Sequence, residues 1–321
     1  MQIADYAFKK LLDIYLKKYN MQIDFIGDIH GHADELKQLL NKLGYTINNN
    51  VYTHPTKKVV FLGDYIDRGP KIVETLAIVK SMVDAGQAIA LMGNHEYNAL
   101  CFATKNSTGG YLREHNIKNI AQHYETLRQF KNNQCLYDEY IEWFKTLPLY
   151  LDTDDFIAVH ACWDSLSIDY LKNNLKNGCL NDELLHKSII EGSKLFESVE
   201  NVLKGKELSL PDDLHFYDKD GNIRNQIRIK WWLNPTDLTY KKISVLQIDN
   251  LPDVVVANGM NFSYYNDDKP VFFGHYWLTG TPKLIAHNVC CLDYSVAKGG
   301  TLAAYSFNGE RLLNSENLIS V

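Results

Sequence analysis

Residues 25–36 read FIGDIHGHADEL. An apolar run breaks at Gly27 into Asp28 and His30, passes Gly31 and His32, and gives way to a helical pattern. That pattern carries Leu36, Leu39, Leu40 and Leu43 at helical spacing, with Gly44 to stop it. Asp28 and His30 stand two apart where the chain is still extended, so both side chains point to one side of the strand end. The glycines beside them let the backbone bend around a bound group.

The same punctuation recurs twice. KKVVFLG (57–63) runs into DYIDRG (64–69), and AIALMG (88–93) runs into NHE (94–96). Asp28, Asp64 and Asn94 are spaced by about one βαβ unit, on the order of 30 residues. A parallel sheet brings all three to its carboxyl edge, where α/β folds place their sites. Two later strands end in histidine: FIAVHA in His160 and VFFGHYW in His275. Singly, each residue has a plainer role, as helix cap, turn residue or core histidine. Five strand ends punctuated alike argue for convergence. Oxygen and imidazole donors without a thiolate suit Mn²⁺, Fe²⁺, Zn²⁺ or Mg²⁺, and there are enough for two ions sharing one carboxylate.

The rest of the chain bounds this reading. With 321 residues, 45% of them hydrophobic, a sizeable core needs no disulfide or metal staple. The six cysteines show no CxxC spacing, which points to a reducing compartment and a cytoplasmic location. No apolar run reaches membrane-spanning length, so no membrane association is expected. A net charge of −6 argues against nucleic acid as a partner. Residues 1–20 read as an amphipathic helical extension, and 21–321 as a single catalytic domain with an insertion or cap over about 165–250. The β-prone runs after residue 250 predict a second sheet packed on the first.

The set GDIHG, GDYIDRG, GNHE, a strand-terminal histidine and GH resembles the calcineurin-like metallophosphoesterases, in particular their phosphoprotein-phosphatase branch. The tail LDYSVAKGGTLAAYSF is similar to the close of bacterial members, which include diadenosine tetraphosphate hydrolases. The resemblance covers roughly residues 22–105, 140–165 and 253–307. It implies a four-layer α/β/β/α sandwich of two mixed sheets with a helical insertion. By motif, Asp28, His30 and Asp64 would hold one divalent ion, and Asp64, Asn94, His160 and His275 the other, manganese foremost, with iron, zinc or magnesium as alternatives. His95 would be the general acid, Asp67 its partner, and Arg68 and Asn94 would contact substrate phosphate.

Two departures stand out. Glycines usual after the fourth-strand histidine are replaced by Ala161-Cys162-Trp163-Asp164, so Trp163 either walls a substrate pocket or fills a core gap. A second phosphate-binding arginine is sought in IRNQIRIKWWLNP, where Arg228 is preferred to Arg224 and Lys230. Asp293 either supports the site or simply ends a strand. His32 reads as a bystander, and Arg113, His115 and His123 as helix surface. Trp231 and Trp232 are candidates for stacking a base.

These residues predict a metal-dependent phosphatase hydrolysing phosphate monoesters, with a phosphorylated protein (Ser/Thr or Tyr) as first substrate and a small phosphoester as the other partner class. A nucleotide or dinucleoside polyphosphate hydrolase is the alternative. An inactive, metal-stabilised binding protein is a distant third, because every proposed ligand and His95 are intact.

Overall fold

Along the first strand, Ile23 and Phe25 face one way and Asp24 and Ile26 the other, yet all four are buried. A strand covered on both faces belongs in the middle of a layered α/β structure. The computed structural model describes residues 22–321 except 212–213, 218–222, 234–237, 247, 249–250 and 257–268. The extension expected over 1–20 lies outside them, as does the end of the strand expected at DVVVAN.

The chain starts with β1 (Gln22–Ile26), α1 (Ala33–Lys42), the hairpin β2 (Thr46–Asn48) and β3 (Val51–Thr53), and β4 (Lys57–Phe61). It continues through α2 (Ile72–Asp84), β5 (Ala88–Ala90), α3 (Asn94–Ala103), α4 (Ile117–Phe130) and α5 (Gln134–Phe144). Next come β6 (Tyr150–Asp152), β7 (Ile157–Val159), α6 (Ser165–Asn174), α7 (Asp182–Lys187) and α8 (Lys194–Lys204). Short strands β8 (Glu207–Ser209), β9 (Phe216–Tyr217), β10 (Ile223–Arg224) and β11 (Gln226–Arg228) precede α9 (Tyr240–Ile243). The chain closes with β12 (Val271–Phe273), β13 (Val289–Cys291), β14 (Asp293–Tyr294), β15 (Thr301–Phe307) and β16 (Leu318–Ser320).

Two mixed sheets result. The first has the order β14-β15-β1-β4-β5, with β16 also on β15; β1, β4 and β5 are parallel and β15 runs against β1. The second has the order β13-β12-β7-β6, with β12 parallel to both neighbours and β6 antiparallel to β7. They pack face to face through a core that includes Phe25, Val60 and Leu91 from one and Ala158, Phe272 and Cys290 from the other. Phe25 and Phe272 stack with centroids 3.7 Å apart, and Phe156 meets Phe25 edge-on at 5.0 Å.

Helices cover the outer faces. Leu36, Leu39 and Leu40 of α1 and Leu76, Val79 and Met82 of α2 pack with Ile26 and Phe61. Over the second sheet lie α6 and α8, both drawn from the segment read as insertion or cap. Ile168, Leu171, Val199 and Val202 join Val159 and Phe273 in one cluster, and the N–H of Ala161 donates to the Val202 carbonyl at 3.0 Å. Part of that segment is therefore the fourth layer itself. The remainder, around β8–β11 and α9, has its own small core of Ile227, Ile229, Leu238 and Ile243. No disulfide forms among the six cysteines. Among the described residues no helix is long and apolar enough to cross a membrane.

Candidate metal centre

The loops leaving the carboxyl ends of β1 and β4 carry Asp28 and Asp64, Asn94 opens α3 after β5, and β7 and β12 deliver His160 and His275 from the second sheet. All five are buried. His30, Asp64, Asp67, Arg68 and His275 all have φ between 46° and 74°, the left-handed region that L-residues seldom occupy. Strain of this kind persists where the surroundings over-determine it, and here it is concentrated on the residues that face one another. Two glycines make the approach possible. A methyl group at Gly93 would overlap Asp64 Oδ1, and one at Gly274 would overlap Asp28 Oδ1.

Asp64 is the centre of the arrangement. Its Oδ2 lies 3.5 Å from His30 Nε2, and its Oδ1 lies 3.4 Å from His160 Nε2. The donor atoms of His30, Asp64 and His95 come within 4.8 Å of one another, as do those of Asp64, His160 and His275. Asp64 alone is common to both sets. Asn94 Oδ1 sits 3.0 Å from His160 Nε2 and 2.8 Å from His275 Nδ1, which closes the second set. Asp28 is buried beside these groups outside both sets, and its two carboxylate oxygens each lie 3.1 Å from the His275 backbone nitrogen.

Hydrogen bonds fix the imidazole tautomers. His30 Nδ1–H donates to the Ile66 carbonyl at 2.9 Å, and His160 Nδ1–H donates to the Leu62 carbonyl at 2.8 Å. In their neutral forms both rings therefore aim an Nε2 lone pair inward, the arrangement that orients metal-ligating histidines. Burial, then His95 and Arg68, push His30 down to about 3. Burial also opposes charge on His160, but Asp64 and Asp28 outweigh it and raise His160 to about 10. Asp28 is held well above the usual carboxylate range by burial and by Asp293 beside it. Lone pairs and buried carboxylates facing a common centre are costly unless a cation lies among them. The residues fit a pair of divalent ions.

A second cluster lies behind this one. His95 Nδ1–H donates to Asp67 Oδ2 at 2.5 Å. Asp67 Oδ1 accepts from His123 Nδ1–H at 2.8 Å and from the Thr126 hydroxyl at 2.6 Å. His123 Nε2 accepts from the Tyr137 hydroxyl at 3.0 Å. Burial alone would raise Asp67, yet His123 and His95 keep it far below the ordinary carboxylate value. His123, expected on a helix surface, is thus a buried partner of Asp67. It lies with Thr126 and Phe130 on the inward face of α4, and their i, i+3, i+7 spacing was the signal that marks it. Glu96 was likewise given no role. Its carboxylate accepts the backbone N–H groups of Asp64, Tyr65 and Gly93 at 2.9, 2.8 and 3.0 Å, pinning the loop that carries Asp64.

Two guanidinium groups flank the centre. Arg68 Nη1 donates to His30 Nε2 at 2.8 Å, and Nη2 donates to His95 Nε2 at 3.1 Å. Arg228 Nη1 donates to His275 Nε2 at 3.2 Å, and its Nε is buried without a partner among the described residues. Arg224 is exposed on β10, and Lys230 Nζ donates to the Lys242 carbonyl at 3.3 Å. Trp163 fills the core against Tyr150. Trp231 is buried with its Nε1–H on the Ala161 carbonyl at 3.0 Å, so it offers no face to a ligand. Asp293 accepts the Trp277 N–H at 2.7 Å and shapes the loop after His275. His32 lies at the start of α1, 3.6 Å from Glu35.

The sequence profile of the calcineurin-like phosphoesterases matches residues 21–275. This chain belongs to that family. It is 36% identical over 144 residues to the asymmetrical bis(5'-nucleosyl)-tetraphosphatase PrpE of Oceanobacillus iheyensis, a match covering 44% of this chain and 56% of that protein. The Bacillus subtilis protein of the same name is 34% identical over 144 residues, 44% of this chain and 57% of that one. The match therefore spans little more than half the length of these relatives. A symmetrical bis(5'-nucleosyl)-tetraphosphatase of Buchnera aphidicola is 27% identical over 315 residues, 93% of this chain and 99% of that protein. Among solved structures, a serine/threonine phosphatase of Saccharomyces cerevisiae superposes with a TM-score of 0.50 at 14% identity, covering 100% of this chain and 89% of that one. That likeness concerns the fold alone. The family's phosphoester chemistry and divalent metals agree with the reading of the sequence.

Proposed function

We propose that this chain is a metal-dependent hydrolase of nucleotide substrates that carry a chain of phosphates, of the dinucleoside tetraphosphate type. The observation that carries this reading is the end-to-end match to a symmetrical bis(5'-nucleosyl)-tetraphosphatase, 93% of this chain against 99% of that protein. It supports nucleotide polyphosphates over the phosphoprotein substrate that the motifs suggested first.

In this proposal Asp28, His30 and Asp64 hold one divalent ion, and Asp64, Asn94, His160 and His275 hold the other. Such a pair lowers the pKa of a water molecule and draws charge from phosphoryl oxygens. The remaining work falls to the chain's own groups. Arg68 and Arg228 stand on opposite flanks, one against His30 and the other against His275. Each carries the planar fork that suits phosphate oxygens better than an ammonium does. Substrate would draw it from the histidines and, for Arg228, from Glu207, 3.3 Å from Nη2. His95 offers Nε2 to the leaving oxygen. Asp67 accepts from His95 Nδ1–H and so holds the ring with Nε2 directed at the site. His123 and Thr126 hold the Asp67 carboxylate in the orientation His95 needs.

The test compares turnover of diadenosine tetraphosphate with that of a phosphoserine or phosphotyrosine peptide on one metal-loaded preparation. Higher kcat/KM on the dinucleotide is expected. A higher value on the phosphopeptide overturns the substrate class and leaves the metal chemistry standing.

A further inference from the structure

Arg68 reaches the candidate metal centre from the outer side of its loop, where the residue is exposed. Its two terminal nitrogens donate to His30 Nε2 and His95 Nε2. Those are the atoms that the proposed chemistry gives to a metal ion and to the leaving oxygen. A working site therefore takes both acceptors away from the guanidinium. The contact with Trp277 survives that exchange, because the guanidinium carbon lies 3.8 Å from the centroid of the indole ring. Trp277 is itself firmly held. It stands two residues after His275 with φ 53°, a conformation that bulky L-residues seldom adopt. Its backbone N–H donates to Asp293 Oδ2 at 2.7 Å, and the next N–H, of Leu278, donates to the Asp293 carbonyl at 3.0 Å. Asp293 is buried, and its Oδ1 accepts the Ser295 N–H at 3.0 Å. The indole is half-buried, with its ring centroid 6.1 Å from that of His30. A rigid ring thus lies at the rim of the centre, against the side chain assigned to phosphate.

We infer that Trp277 is the positioning residue for Arg68: its indole face keeps the guanidinium at the phosphate site once His30 and His95 are engaged elsewhere. This rests on the reading of Arg68 as a phosphate contact and is independent of which substrate carries the phosphate. A long exposed side chain loses rotamer freedom when a ligand fixes it, and that loss is subtracted from affinity. Resting on a ring beforehand removes part of the loss. Among aromatic side chains the indole face attracts a cation most strongly. A guanidinium can stack on such a face while its N–H donors stay in its own plane. Both Nη atoms of Arg68 point at imidazoles rather than at the ring, so the indole contact spends neither of the donors that phosphate oxygens would take over.

The experiment is calorimetric binding of orthophosphate to the metal-loaded protein, with free Mn²⁺ in excess and bound metal measured in parallel. It compares wild type with Trp277→Leu, Trp277→Phe, Arg68→Ala and the double variant Trp277→Leu/Arg68→Ala. Trp277→Leu is expected to weaken orthophosphate by about fivefold, the size of one cation–π contact, with bound metal at the wild-type level. Trp277→Phe keeps a ring face and should recover most of the affinity. In the Arg68→Ala background Trp277→Leu should cost nothing further, because the indole acts only through the guanidinium. An equal loss in that background, an equal loss in Trp277→Phe, or a fall in bound metal with Trp277→Leu overturns the role. Wild-type affinity in Arg68→Ala removes the underlying phosphate contact and the inference with it. A loss in Arg68→Ala with none in Trp277→Leu overturns the inference alone. Orthophosphate carries no nucleoside, so the substrate class is decided separately.

Discussion

Asp67 lies 2.5 Å from His95 Nδ1 and spends its other carboxylate oxygen on His123 and Thr126. The acid–base candidate is thus the front of a buried chain that continues through His123 to Tyr137. Removing the front group should cost chemistry and leave the metals in place. His95→Asn is expected to lower kcat by about 10²–10⁴-fold, the range for loss of a positioned acid or base, with bound metal at the wild-type level. Turnover near that of wild type would remove His95 from the role.

The rear of the chain should behave differently. His123→Leu leaves an oxygen of a buried carboxylate one partner short, a loss of about 1–3 kcal/mol in stability. A fall in kcat with little change in KM is expected as well, because Asp67 then holds His95 less firmly. Chemical denaturation and steady-state kinetics on the same variant check both. Lost stability with unchanged kcat would make His123 a purely structural residue.

Asp64 offers one oxygen to each donor set. Asp64→Asn should therefore weaken both ions together, and the metal-to-protein ratio after dialysis should drop below that of His30→Asn or His160→Asn. Two ions retained at wild-type affinity would contradict a shared ligand.

The departure after His160 has a structural outcome. Asp164 caps α6, accepting the Ser167 N–H at 2.9 Å, and pairs with Lys206 at 2.8 Å. Burial opposes its charge, but Lys206 and Ser167 hold its carboxyl below the usual range. Asp164→Ala is expected to cost about 1–2 kcal/mol at pH 7. A carboxyl depressed on folding contributes stability above its unfolded pKa, about 3.9, and loses it as pH falls through the folded value. The gap between wild type and Asp164→Ala in urea midpoints should thus narrow below about pH 4. A gap that widens in acid would reverse the assignment.

The inter-sheet core should be intolerant of cavities. Phe25 is fully buried and stacked on Phe272. Phe25→Ala is expected to destabilise by about 3–5 kcal/mol, read by the urea midpoint. A loss under 1 kcal/mol would mean that the two sheets do not depend on this contact.

Much of this was open to reading in the one-dimensional pattern. The strand–ligand–helix punctuation at Asp28, Asp64 and Asn94 is local, and parallel pairing of β1, β4 and β5 then forces the three loops to one edge. Histidines ending β7 and β12 follow the same logic, since those strands are parallel neighbours. The reading failed where the answer depended on which side of a helix turns inward. His123 lies 56 residues from Asp67, and only the docking of α4 brings them together. The segment from about 165 to 250 reads as an insertion or cap because its composition is mixed and polar, yet it contains the helices α6 and α8. Their apolar side is the outer cover of the second sheet.

The sequence by itself determined the donor types, their order and the sheet edge to which they belong, because strand alternation and glycine turns act over a few residues. The tertiary structure decided which oxygen of Asp64 faces which histidine and which tautomers His30 and His160 adopt. It also brought the guanidinium of Arg68 over the ring of Trp277. Those relations are fixed by contacts between residues far apart in the chain, where packing rather than local preference sets distance and angle.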